Sequence, residues 1–203
     1  MTLDNDVQTI LAEFDERRER DREAFKSDGF DVDKAALAAG PETAGLLNLM
    51  IRMTGARHIV EVGTSMGYTA LWLGEAARAT GGRVIGTEFV ESKHAIATDY
   101  ITRAGLADIV EVRLGDAKES VAAIDGPIDL VFVDAWKTDY VDFFDMLLPK
   151  MRLGGAIVAD NITHPESNAE VMGEYCAHVR GLPTVRSGLV PIGNGIEVSV
   201  RMG

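Results

Sequence analysis

The sequence predicts one α/β domain, a mostly parallel sheet with helices on both faces that is finished by an antiparallel hairpin. Two features carry this prediction. Between residues 58 and 159, short β-branched runs alternate with stretches of helical periodicity, which is the signature of βαβ units. Near the C-terminus the alternation stops, and two further β-rich runs flank Gly193-Asn194-Gly195, whose Asn-Gly step is a strong hairpin signal. No internal repeat, low-complexity tract or linker interrupts the 203 residues, a length that suits a single domain.

The elements follow in chain order. Leu3, Val7, Ile10, Leu11 and Phe14 recur at helical spacing and predict a helix over 3–26, in which the mixed charges of Asp15 to Glu23 read as a solvated face. This amino-terminal segment, 1–40, is expected to act as a lid or as a dimer contact. A second helix over 41–53 opens on Pro41 and closes at Gly55. Strands are predicted at 58–62, 83–88, 109–114, 128–133 and 156–159, with helices at 66–79, 91–104, 117–123, 139–150 and 167–180 around them. Gly81-Gly82 and Gly105 terminate two of those helices. The hairpin strands are 184–191 and 196–201.

Composition excludes several functions. With 32 Asp+Glu against 20 Lys+Arg, the chain carries −12, and a field of that sign repels phosphate. Nucleic acid and anionic membrane are therefore poor partners. No apolar run approaches the ~18 residues of a membrane span. Cys176 is the single cysteine, which removes an intrachain disulfide and a cysteine-based zinc cluster. The first eight residues lack the basic and apolar regions of a secretory leader, so a cytoplasmic location is expected.

Val60 to Thr69 reads V-E-V-G-T-S-M-G-Y-T and sits at the first strand-to-helix junction, where open α/β sheets usually bind ligands. Gly63 permits a sharp turn and a close ligand approach, and Gly67 permits close helix packing. The spacing is not G-x-G-x-x-G, so a dinucleotide cradle is incomplete. Glu61 lies just beneath the loop, Glu88 ends the second strand and Asp116 follows the third. An acid at the end of the second strand suits ribose hydroxyls, and Asp116 suits an adenine amino group, although it also suits a helix N-cap. An acid beneath the loop favours a cationic cofactor over a phosphate-bearing one. S-adenosylmethionine has a sulfonium, an ammonium and a ribose.

Asp134 ends the fourth strand, and Asp160-Asn161 ends the fifth. Parallel neighbours lie ~4.8 Å apart, so the three side chains can converge. Oxygen ligands without His or Cys suit Mg²⁺, or Mn²⁺ or Ca²⁺, rather than zinc. Helix capping by Asp134 and Asp160 is the plainer alternative, but Thr138 and Asp139 are expected to cap the helix near 139, which leaves Asp134 without that task. Lys137 reaches the same space and can serve as a base beside a divalent cation. Trp136 offers a flat face to a ring or to packing. His164 is either a neighbour of the metal or a solvated loop residue.

Together V-E-V-G-T-S-M-G-Y-T, Glu88, F-V-D-A-W-K, A-D-N and G-N-G-I-E resemble the cation-dependent class I O-methyltransferases, the group of catechol and caffeoyl-CoA O-methyltransferases. The resemblance runs from about Gly40 to the C-terminus, and departs from the family pattern at Ala44-Gly45 and in the stretch Ile162 to Pro165. It implies a Rossmann-like seven-stranded fold and an S-adenosylmethionine-dependent methyl transfer to a hydroxyl of a vicinal dihydroxy aromatic. It further implies cofactor contacts from Ala39, Glu61, Gly63, Ser65, Tyr68, Thr69 and Asp134, with Glu88 on the ribose, Asp116 and Ala117 at the adenine edge and Trp136 on its face. Asp134, Asp160 and Asn161 become the metal ligands, Lys137 the base, and Lys137, Asn161 and Glu197 the acceptor contacts. The family habit implies a homodimer. A nicotinamide-dependent oxidoreductase, a silent nucleoside-binding protein and a methyltransferase acting on another small molecule are the competing readings.

Overall fold

A computed structural model describes residues 3–203. Residues 1 and 2, part of the stretch read for a leader, lie outside the described residues. Helices α1 (Asn5–Asp28) and α2 (Pro41–Thr54) precede the sheet. Then β1 (His58–Val62), α3 (Tyr68–Thr80), β2 (Arg83–Glu88), α4 (Glu91–Arg103), β3 (Val110–Leu114), α5 (Ala117–Ala122), β4 (Ile128–Val133), α6 (Tyr140–Leu147) and β5 (Met151–Ala159) alternate. Helix α7 (Ala169–Gly181) leads to the hairpin of β6 (Val185–Val190) and β7 (Ile196–Arg201).

The seven strands lie in the order β3-β2-β1-β4-β5-β7-β6. β1, β2, β3, β4 and β5 pair in parallel, while β7 runs antiparallel to both β5 and β6. The winding reverses between β1 and β4, the place where such sheets open a crevice at their carboxyl ends. Alternate residues along the strands feed two cores. Ile59, Leu130, Phe132 and Val158 pack with α1 to α4, and Val60, Val62, Val131, Val133 and Ile157 pack with α5 to α7. Among the described residues no helix is long and apolar enough to cross a membrane.

Several expected boundaries move, most by one or two residues, and three shifts have a clear physical cause. Helix α3 starts at Tyr68 rather than 66, because Ser65 (φ 51°) and Gly67 (φ 93°) hold left-handed backbone that a helix cannot continue. β5 begins at Met151 rather than 156. Ile128 pairs with Met151 and Leu130 with Ala156, so residues 152–155 bulge out at Gly154 (φ 73°), and a glycine pair that resembles a turn is an interruption inside one strand. The helix expected over 139–150 is α-helical only from Tyr140 to Leu147, with 3-10 turns at Lys137–Asp139 and Leu148–Lys150, where Pro149 cannot extend the helical ladder.

Candidate active site

The site is assembled from strand ends that extend the sheet ladder by one residue each. Asp134 donates its N–H to the Val62 carbonyl (2.9 Å) and Asp160 donates to the Val133 carbonyl (3.0 Å). β1, β4 and β5 therefore deliver Gly63, Asp134 and Asp160 side by side. A Cβ on Gly63 would stand 2.2 Å from the Asp134 carbonyl oxygen, and its φ is 93°. Only glycine fits there, for both contact and conformation.

Glu61 is fully buried beneath that loop. Its Oε2 accepts the Thr64 hydroxyl at 2.8 Å, and its Oε1 has no partner. Burial, only partly offset by the Thr64 bond and reinforced by the charges of Asp134 and Glu88, pushes Glu61 up to about 8. Ser65 Oγ is likewise buried without a partner. Orphaned buried oxygens cost stability unless something binds them. A ligand offering a cation and hydrogen-bond donors fits both atoms. Glu88 is nearly buried at the end of β2 and accepts the Val90 N–H at 2.8 Å through Oε1.

Asp160 has one carboxylate oxygen without a partner, and burial followed by the charge of Asp134 pushes it up to about 7. Its neighbour Asn161 holds φ 60°, an uncommon backbone for a residue other than glycine. Lys137 Nζ donates to Asp134 Oδ1 (2.9 Å), the Ala135 carbonyl (3.0 Å) and the Tyr140 hydroxyl (2.8 Å). Asp160 lies within reach of the charge of Asp134, and with the adjoining Asn161 these residues offer oxygen donors without His or Cys, a set that fits a hard divalent cation. Among the described residues no group of three or more His, Cys, Asp or Glu is placed to hold a metal ion, here or elsewhere.

The remaining residues divide. Thr69 and Ala39 are buried around the loop, and Ala117 is half-buried. Trp136 is 58% exposed, so its face is not used up by packing. Asp116 does cap α5, accepting the Lys118 and Glu119 N–H groups through Oδ1. The expected cap from Asp139 is not made; that residue pairs with Lys118 instead. Tyr68 turns its ring into the core against Phe14, with centroids 5.0 Å apart, which leaves the loop its main chain. Glu197 is a correction. It is fully buried, accepts both Arg180 N–H groups (2.7 and 2.6 Å) and the Ser187 hydroxyl (2.6 Å), and is closed off from an acceptor. His164 is exposed, with Nδ1 bonded to the preceding Thr163 carbonyl. Residue types alone did not single out Thr64 or Tyr140. For Tyr140 the signal was present, since it stands three positions after Lys137.

A family model described as O-methyltransferase matches residues 23–202. The chain belongs to the O-methyltransferase family. Catechol O-methyltransferase from Mycobacterium tuberculosis is 36% identical over 138 residues, 67% of this chain and 61% of the relative. The enzyme of the same name from Niastella koreensis is 34% identical over 131 residues, 63% of this chain and 59% of the relative. The chain thus spans about three fifths of the length of these two relatives. A putative O-methyltransferase from Mycolicibacterium vanbaalenii matches more completely, at 33% identity over 84% of this chain and 80% of its own. Among solved structures, the O-methyltransferase TomG from Streptomyces achromogenes in complex with SAM is 27% identical with a TM-score of 0.79, covering 94% of this chain and 89% of that one. The O-methyltransferase from Bacillus cereus in complex with SAH is 26% identical with a TM-score of 0.75, covering 92% and 90%.

Proposed function

We propose that this O-methyltransferase family member is an enzyme that transfers the methyl group of S-adenosylmethionine to one hydroxyl of a vicinal dihydroxy aromatic, with a divalent cation such as Mg²⁺ required. The observation that carries the reading is the row of Gly63, Asp134 and Asp160 on adjacent strand ends, with Lys137 bonded to Asp134. Relatives named catechol O-methyltransferase and structures with SAM or SAH bound support it.

Asp134, Asp160 and Asn161 would hold the cation. When bound, it supplies Lewis acidity that lowers the pKa of a hydroxyl. In its neutral form, with its bond to Asp134 given up, Lys137 Nζ would receive the proton of the acceptor hydroxyl, while the Ala135 carbonyl and Tyr140 hydroxyl keep that nitrogen in place. Glu61 and Ser65 offer oxygens to the cationic cofactor and Glu88 to its ribose, while Trp136 presents its ring to the adenine. Holding methyl and nucleophile in line contributes most of the acceleration.

The test is release of S-adenosylhomocysteine from a panel of vicinal diols, with Mg²⁺ and with EDTA. Turnover should need both the diol and the cation, and Lys137→Ala should lower kcat at pH 7 at least ~100-fold, the usual worth of a positioned base. Full activity in EDTA would remove the cation from the mechanism.

A further inference from the structure

Residues 29–40, which join α1 to α2, have no regular structure beyond a turn at 32–34, yet Ala35, Ala36 and Ala39 are buried. The segment is bonded near its start and runs at its other end into α2, whose first turn lies on the opposite side of the site. At one end, Lys93 in the first turn of α4, just after β2 and Glu88, donates from Nζ to the Val32 carbonyl at 2.7 Å. At the other end Thr43 lies against the β6–β7 turn, its Oγ1 2.7 Å from where a Cβ on Gly193 would stand. In between, the Ala36 N–H donates to Asp21 Oδ2 at 3.2 Å. Four strand spacings separate β2 from β7, about 19 Å at ~4.8 Å each. The eight steps from Val32 to Gly40, just before α2, can reach about 26 Å when extended. The segment is therefore long enough to run from one side of the Gly63, Asp134 and Asp160 row to the other.

Lys93 is an unusual choice for a purely structural contact. It is 5% exposed, and among the described residues its only hydrogen-bond partner is a neutral carbonyl. Glu88, Asp31 and Asp33 act on it through space. A leucine or methionine there could donate nothing to the Val32 carbonyl, and the segment would lose that bond. An ammonium regains full hydration on opening, yet makes a charge-assisted bond on closing. Such a contact holds a strap shut while leaving it free to open.

We propose that Lys93 is a positioning residue that latches residues 29–40 across the cofactor cleft and sets how long the adenosyl ligand stays bound. This rests on the cofactor reading above. The experiment follows dissociation of S-adenosylhomocysteine by stopped flow, together with amide hydrogen exchange over 32–36. Lys93→Met, which fills the same space without a donor, should speed dissociation about tenfold and speed exchange in that stretch. Asp21→Ala, on the helix surface, should shift both in the same direction, and Lys93→Arg should restore them toward the parent. A folded Lys93→Met with the parent's dissociation rate overturns the latch, as does faster dissociation without faster exchange. If Lys93→Met does not fold, an unchanged rate in Asp21→Ala overturns it. A parent protein that does not bind S-adenosylhomocysteine overturns the cofactor reading itself.

Discussion

Glu61 shows at the scale of one residue how the site trades stability for function. Its folded pKa of about 8 stands above its ordinary 4.5. Between those values the folded chain keeps a proton that the unfolded chain releases, so stability is full below 4.5 and falls as pH rises toward 8. Asp160, pushed up to about 7, acts in the same direction. Calorimetry of the ligand-free protein should therefore give a lower Tm at pH 8 than at pH 5.5, and Glu61→Gln should flatten part of that slope. A parent and a Glu61→Gln variant with identical slopes would show that Glu61 is ionised throughout. Glu197 makes the opposite case, a buried carboxylate that is fully partnered. Arg180→Met strands it and should cost about 2 kcal/mol, seen as a lower midpoint in urea, because a buried charged acceptor loses its donors. Arg180 is 47% exposed, so water can enter and limits the loss.

At the scale of elements, the loop after β1 depends on one missing atom. Gly63→Ala places a methyl group 2.2 Å from the Asp134 carbonyl oxygen and forces alanine to φ 93°. The backbone penalty alone is about 1–2 kcal/mol. S-adenosylhomocysteine affinity measured by calorimetry should drop at least ~10-fold, since a shift of the loop moves Glu61, Ser65 and Asp134 together. Parent-like affinity would mean that the loop gives way elsewhere. Such strand-to-helix junctions were the most legible parts of the sequence, because β-branched runs and glycine stops fix both period and endpoint. The starts of β1, β2, β4 and β7 fall where periodicity puts them. β5 was legible only in its second half, because the bulge at 152–155 satisfies neither helical nor strand period. Glu197 was misassigned for a different reason. Its place on β7 beside a turn is readable, but whether its side chain faces the rim or the face under α7 depends on which face Arg180 and Ser187 occupy. Lys93 was not singled out, since a lysine in the first turn of a helix is ordinarily solvated and only the tertiary path of 29–40 buries it.

For the whole molecule, the site draws on residues 61–65, 88, 134–137 and 160–161, which meet only when the sheet is complete. The unfolded chain has no such arrangement, so a ligand that binds these residues binds the native state alone and adds its binding free energy to folding. The net charge of −12 sharpens the point, because Asp134 and Asp160 are held next to each other in a chain already repelling itself. A divalent cation shared by them relieves local repulsion, whereas monovalent salt only screens exposed charge. Mg²⁺ at about 100 times its Kd should stabilise the protein by about 2.7 kcal/mol. In thermal melts this should appear as a raised Tm that EDTA reverses and that NaCl of matched ionic strength does not reproduce. Asp160→Asn should abolish the Mg²⁺ response while keeping the fold, since it removes a charge and preserves shape. An equal response to NaCl, or an undiminished Mg²⁺ response in Asp160→Asn, would place the cation elsewhere on the acidic surface.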